Sequence, residues 1–291
     1  MHSDPFVQTR AVIKLPSIRI FATSSFIRNY RLCLFLVSIF PIKVIGIYRF
    51  TIKLGFPNIS LVSRQQPTQE VEIMALRIND VVPNLDLVTD HGNFKLHDFI
   101  GDSWTILFSH PKDYTPVCTT EFGAVAQLAE EWERRNTKVI GLSVDSVEEH
   151  KGWKADIETY AKAPANFPII GDEDLSVAKA LDMLPADAYL PDGRTAADSA
   201  SVRVVFIFSP DKKLQLSMTY PMSVGRNFAE VLRALDALQA TYGVPIATPA
   251  NWDVGEDVIV ALSLNDEQAR ERFGEIDVVL PYLRKTAMPK A

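Results

Sequence analysis

The chain has 291 residues, 47% hydrophobic and 23% charged, with 18 Pro and 13 Gly, which excludes a disordered, collagenous or coiled-coil protein. Its net charge of −6 is unevenly spread: residues 1–73 hold nine of the 30 basic residues but three of the 36 acids, leaving 74–291 at −12, a poor nucleic-acid binder. Two cysteines, Cys33 and Cys118, build neither a disulfide scaffold nor a paired-cysteine zinc site.

Residues 1–73 are basic, acid-poor and contain an apolar run over 32–40 that Pro41 and Lys43 interrupt before it resumes at 44–48. These are features of a removable targeting segment, and the interruption denies an unbroken membrane span. Three readings stay open: a transit or signal-like leader, a membrane anchor, and a stretch absent from the working protein. The third has a motive, because Met74 opens a segment that reads like the start of a domain. A start near Met74 implies the cytoplasm, and a targeting leader implies the mitochondrion or another organelle. Cys33, inside the apolar run, reads as a small hydrophobe.

From Met74 onward short apolar runs alternate with segments of helical period, the pattern of an α/β domain. A buried strand is expected over 105–109 (TILFS), a helix over 117–135, a strand over 138–144, a helix over 147–160 and a strand over 202–208 (VRVVFIF). Residues 209–212 form a turn and 214–220 a strand returning antiparallel. A helix over 227–242 follows, capped by Asn227 and ending at Gly243. Beyond Pro245 the texture changes to loops with one strand (257–261) and one short helix (266–273).

The segment SHPKDYTPVCTTEF carries the chemistry. Cys118 falls in the first turn of a helix that follows a buried strand, where unpaired N–H groups and the positive end of the helix dipole favour a thiolate, the nucleophilic form. Pro116 suits a helix start. Thr115 can set its hydroxyl on the face of the sulfur, and Pro111 can wall the pocket from water. The alternative is a buried core cysteine. Five histidines, His2, His91, His97, His110 and His150, show no paired metal-ligand spacing, and no Gly-rich phosphate loop precedes a helix. Neither metal nor cofactor is expected.

Pro111, Thr115 and Cys118, spaced as Pro-x-x-x-Thr-x-x-Cys and running into PVCTTE (116–121), resemble the motif of the peroxiredoxins, thiol peroxidases on a thioredoxin-like fold. With GDSW, FPIIGD, PDKKL, GRNF, TPANW and YLR, the resemblance runs from Met74 to about Thr286 and is similar to the one-cysteine, non-selenium glutathione peroxidase type. It implies a thioredoxin-like sheet flanked by helices over 74–243 and a small extension over 244–291. It also implies that Cys118 attacks a hydroperoxide to leave a sulfenic acid, with Thr115 and Arg203 holding the peroxide oxygens. Arg203 otherwise reads as an edge-strand surface charge. His110 is placed near the pocket floor, and Glu121 is expected to hydrogen-bond within its own helix. Arg226 is expected to orient the site, with a surface salt bridge as its alternative.

Residues 74–291 contain no second cysteine, so regeneration comes from outside that segment: from glutathione, a thioredoxin-type protein or another small reductant, or from Cys33 if residues 1–73 are retained and reach the pocket. A homodimer is implied. Some members of the resembling group are described as phospholipases of the A2 type, and the matching residues are Ser103, His97 and Asp211. Thr105 stands where a nucleophile elbow needs a second small residue, which weakens that reading. A non-catalytic redox sensor or holdase using Cys118 as a switch is the other alternative.

Overall fold

The computed structural model describes residues 76–185 and 200–289, together with two short strands ahead of them. The chain divides into two compact units, Met1–Thr68 and Gln69–Ala291. In the first, β1 (Ala11–Leu15) and β2 (Ile18–Ala22) pair antiparallel, Leu15 opposite Ile18. The apolar run and Cys33 lie outside the described residues. Among the described residues no helix is long and apolar enough to cross a membrane.

The second unit is built on a seven-stranded mixed sheet. A hairpin of β3 (Asp86–Thr89) and β4 (Gly92–Lys95) leads into α1 (Leu96–Ile100). Then come β5 (Trp104–Ser109), α2 (Pro116–Gln127), α3 (Ala129–Arg134), β6 (Thr137–Ser143) and α4 (Val147–Ala161). They are followed by β7 (Ile169–Gly171), α5 (Ser176–Ala180), β8 (Arg203–Phe208), β9 (Leu214–Tyr220) and α6 (Phe228–Thr241). The strand order is β4-β3-β7-β6-β5-β8-β9, with β5 parallel to β6 and antiparallel to β8. Every residue of β5 and β8 is buried, because both sheet faces are covered and each strand is a continuous apolar run. Alternate residues serve opposite faces: Leu107, Ile140 and Phe206 enter one core, Ile106, Phe108 and Ile207 the other, where Phe122, Trp153 and Leu235 cover them.

One helix expected over 117–135 is two. At Leu128 the backbone turns to φ −94, ψ 15, and the Val125 carbonyl accepts from Leu128 N at 3.2 Å and from the Trp132 indole at 3.0 Å. The indole captures a carbonyl that a continuous helix would give to Ala129 N–H. Asn227 caps α6 as expected, accepting from the N–H groups of Ala229 and Glu230.

After α6 the chain forms a second, four-stranded antiparallel sheet of β10 (Ile246–Ala247), β11 (Val258–Val260), β12 (Asp277–Leu280) and β13 (Leu283–Thr286), with α7 (Asp266–Phe273). Trp252 fills its core with Ile246 and Val258, and its carbonyl accepts from Arg233 of α6 at 2.9 Å. Of these four strands the sequence pattern marks β11 alone, since β10 is two residues long and β12 is exposed throughout.

Candidate active site

The loop from β5 to α2 carries the motif. Thr115 is extended (φ −114, ψ 148) and Pro116 occupies the first helical turn, where a missing N–H costs nothing. Cys118, the third residue of α2, is fully buried, and the first-turn N–H groups around it have no intrahelical acceptor. The Thr115 hydroxyl donates to the Lys112 carbonyl at 2.9 Å, closing the loop on itself. One turn on, Thr119 donates its hydroxyl to the Thr115 carbonyl at 2.9 Å and accepts from the Trp153 indole at 3.1 Å. Pro111 is buried at the start of the loop.

Arg203 opens β8, an interior strand between β5 and β9, so it is not an edge charge. It is buried, with Nη1 3.3 Å from Cys118 Sγ and 2.6 Å from Glu121 Oε2, and its Nε donates to the Met222 carbonyl at 2.8 Å. The expectation that Glu121 hydrogen-bonds within its own helix is corrected. Glu121 stands three residues after Cys118, on the same face of α2, and its carboxylate leaves the helix to meet two guanidinium groups. Besides Arg203 it accepts from Arg226 Nε at 2.9 Å, Nη2 at 2.8 Å and backbone N at 2.8 Å.

Arg226 is buried rather than on the surface. It donates to the Val204 carbonyl at 2.8 Å and lies 5.3 Å above the Phe108 ring. Burial draws its pKa below the ordinary guanidinium value, a pull that Glu121 opposes. Two guanidinium groups and one carboxylate leave one positive charge beside the sulfur. A buried charge needs a partner of opposite sign, and the sulfur 3.3 Å from Arg203 Nη1 stands where an anion would supply it.

His110 is buried, its ring stacked on Trp153 (centroids 5.0 Å apart) and edge-on to Phe122 (4.5 Å). Its Nε2 lies 2.6 Å from Asp113 Oδ1, and Nδ1 is buried without a partner. Asp113 Oδ2 in turn meets Nδ1 of His150, from α4, at 2.6 Å. Burial is the largest influence on His110 and holds it below the ordinary imidazole value, against the pull of Asp113. Burial pushes Asp113 up, but hydrogen bonds from His110 and His150 carry it below the ordinary carboxylate value. Asp113 and His150 are absent from the residues that the sequence motif marks. The available signal was weak: His150 shares the buried face of α4 with Trp153, Ile157 and Ala161, where a polar ring requires partners.

Ser103, His97 and Asp211 do not form a hydrogen-bonded triad. The Ser103 hydroxyl donates to Asn136 Oδ1 at 2.9 Å, and His97 Nε2 meets the Val82 carbonyl at 2.6 Å. Asp211 accepts from the Ser209 hydroxyl and pairs with Lys213 at 2.7 Å. Ser103 does border an apolar groove of about 390 Å³ lined by Phe99, Trp132 and Phe167, away from Cys118.

The sequence model described as the AhpC/TSA family matches residues 78–217. Peroxiredoxin-6 of Gallus gallus is 47% identical over 227 residues, covering 74% of this chain and 99% of the relative. Peroxiredoxin PRX1, mitochondrial, of Saccharomyces cerevisiae is 47% identical over 214 residues, 72% of this chain and 80% of the relative. Among solved structures, a cysteine-to-serine mutant of the peroxiredoxin 6 of Arenicola marina matches with a TM-score of 0.69 at 40% identity, over 75% of this chain and 100% of that one. The yeast mitochondrial 1-Cys peroxiredoxin, in a structure concerned with thiol resolution by the glutathione and thioredoxin systems, gives a TM-score of 0.66 at 46% identity, over 73% and 99%. The chain belongs to the peroxiredoxin family, with the family's thioredoxin-like fold and its thiol peroxidase activity.

Proposed function

We propose that Cys118 is the residue oxidised by peroxide. Its thiolate attacks one oxygen of a hydroperoxide as the O–O bond breaks. That oxygen stays on sulfur as a sulfenic acid, and the other leaves as water or an alcohol after taking a proton. Arg203 and the first-turn N–H groups of α2 hold the oxygens in line and stabilise the charge that develops on them. Thr115 and Pro111 shape the pocket, and Glu121 and Arg226 aim Arg203. The observation that carries this reading is the contact of Arg203 Nη1 with Sγ at 3.3 Å, in a cluster with one positive charge in excess.

Regeneration takes two external thiols: the first forms a mixed disulfide with Cys118 and releases water, and the second releases the cysteine and a disulfide. The yeast relative's glutathione and thioredoxin systems make glutathione and a thioredoxin-type protein the reductants of choice here. We further propose that two chains pair through the edge of β9 beyond Leu214, whose own backbone bonds to Asn79 and Asp80, and the exposed apolar residues of β12, Val278, Val279 and Leu280. Residues 1–73 are proposed to be a leader that the peroxidase domain (74–243) and its extension (244–291) do not need.

The test is peroxide consumption with a thiol donor. Cys118→Ser should abolish turnover and Cys33→Ser should leave it intact. Substantial turnover by the Cys118 variant would sink the assignment, and a single stoichiometric oxidation without turnover would favour a redox sensor.

A further inference from the structure

The hydrogen bonds around Asp113 fix a proton count. Nε2 of His150 faces the Ile170 carbonyl at 3.1 Å; a carbonyl only accepts, so that nitrogen carries hydrogen. Nδ1 of the same ring is 2.6 Å from Asp113 Oδ2. A neutral ring with its hydrogen on Nε2 would set a bare lone pair against a carboxylate there, so one further proton occupies this contact. His110 Nε2 supplies the hydrogen for the 2.6 Å contact with Oδ1, which leaves the unpartnered Nδ1 as the bare atom. The trio thus holds one proton more than two neutral imidazoles and a carboxylate, and its net charge is zero.

The carboxylate at its centre belongs to the loop that shapes the peroxide pocket. Asp113 sits midway between Pro111 and Thr115, and its N–H donates to Asp145 Oδ2 at 2.8 Å, which also accepts from the Ser143 hydroxyl at 2.9 Å. The next residue, Tyr114, has left-handed backbone (φ 54), costly for an aromatic side chain. It is held against α4 independently: its hydroxyl donates to the Glu149 carbonyl at 3.4 Å and lies where a Cβ on Gly152 would come within 2.5 Å. Adjacent loop residues therefore grip the same helix, one through a buried proton and one over a glycine.

We propose that Asp113 and His150 are positioning residues for peroxide reduction, a proton-loaded clamp that holds the loop of Pro111 and Thr115, and the start of α2, against α4. The proposal rests on Cys118 being the reacting group. The other ionisable groups facing the clamp are Asp145 after β6, Glu149 on α4, and Tyr114 and Lys112 on the loop. Glu149 is engaged in capping Ser146, and β7 contributes only the Ile170 carbonyl. Loss of the clamp proton sets Nδ1 of His150 against a carboxylate, and the loop loosens.

Asp113→Asn is the discriminating variant. Its amide oxygen accepts from His110 and its amide nitrogen donates to Nδ1 of a neutral His150, so every contact survives without the extra proton. Sulfenic acid formation by the full-length protein mixed with hydrogen peroxide should slow about ten-fold or more in Asp113→Ala, as expected when reacting groups are misplaced. Asp113→Asn should recover most of that loss, and the wild type's reversible decline on the alkaline side should be missing from it. Imidazole nitrogen NMR at neutral pH should show His150 protonated on both nitrogens in the wild type and on Nε2 alone in Asp113→Asn.

Wild-type speed in Asp113→Ala, or a singly protonated His150 in the wild type, overturns the proposal. Should Asp113→Ala not fold, an unchanged alkaline decline in Asp113→Asn overturns it equally. A wild type inert toward peroxide would overturn the peroxidase reading and the positioning role with it. The NMR result then separates that failure from a wrong proton count.

Discussion

Glu121 divides one carboxylate between two guanidinium groups, and the charge left over determines what Arg203 can offer the sulfur. On the proposed mechanism Arg203→Met removes a donor to the reacting oxygens and should slow sulfenic acid formation by roughly 100-fold, the scale of a lost transition-state donor. Arg226→Met touches no reacting atom, yet it should also slow the reaction, because Glu121 then pairs with Arg203 alone and cancels its charge. Equal rates in Arg226→Met and the wild type would show that the second guanidinium serves packing only. The buried ring of His110 adds a stability prediction. Its value in the fold lies below its unfolded one, so the unfolded chain takes up the proton first. That contribution is complete above about pH 6.5 and is lost as pH falls from there toward the folded value. Asp113, also lowered in the fold, adds a second loss on acidification below about pH 4. Urea midpoints should therefore fall between pH 7 and pH 5, and less steeply in His110→Asn; a flat wild-type profile would contradict the burial argument.

At the scale of elements, α2 owes its seat to two glycines. A Cβ on Gly141 of β6 would come within 2.8 Å of the Phe122 ring, and one on Gly123 within 2.9 Å of Tyr160 on α4. Gly141→Ala should cost about 1–3 kcal/mol, as overpacking does, and should reduce peroxide reactivity because Phe122 lies one turn beyond Cys118. An unchanged urea midpoint would mean that the ring moves aside freely. The strands and helices around this seat were legible because burial on both faces writes β5, β6 and β8 as unbroken apolar runs, and the helices carry a clear period. The break at Leu128 was hidden because Phe122, Val125 and Trp132 keep that period across it, while the indole hydrogen bond that ends the helix is a tertiary event. The hairpin of β3 and β4 escaped for another reason: each strand has four residues and β4 has no buried one. Cys118, Thr115 and Pro111 were readable because the motif is contiguous. The partnership of Asp113 with His150 spans 37 residues and has no local signature, and Glu121 was legible as a residue but not in its partners.

For the whole molecule, residues 76–289 supply the seven-stranded and four-stranded sheets and every residue of the site. A chain beginning at Met74 should fold and keep its peroxidase activity, and insolubility or inactivity would return residues 1–73, with Cys33, to the domain. The proposed pairing predicts a dimer mass by light scattering at micromolar concentration, and a monomer mass would refute it. Burial of Cys118 has a kinetic consequence. Hydrogen peroxide is scarcely larger than water, whereas a thiol must bring its own sulfur into line with an Sγ that has no open surface. On the proposed mechanism the start of α2 parts from Arg203 before the second half-reaction, so turnover should level off with rising thiol while oxidation stays linear in peroxide. The speed of that opening, more than the strength of the reductant, then sets the dwell time of the sulfenic acid. Dwell time in turn sets how much enzyme a second peroxide carries irreversibly to sulfinic acid.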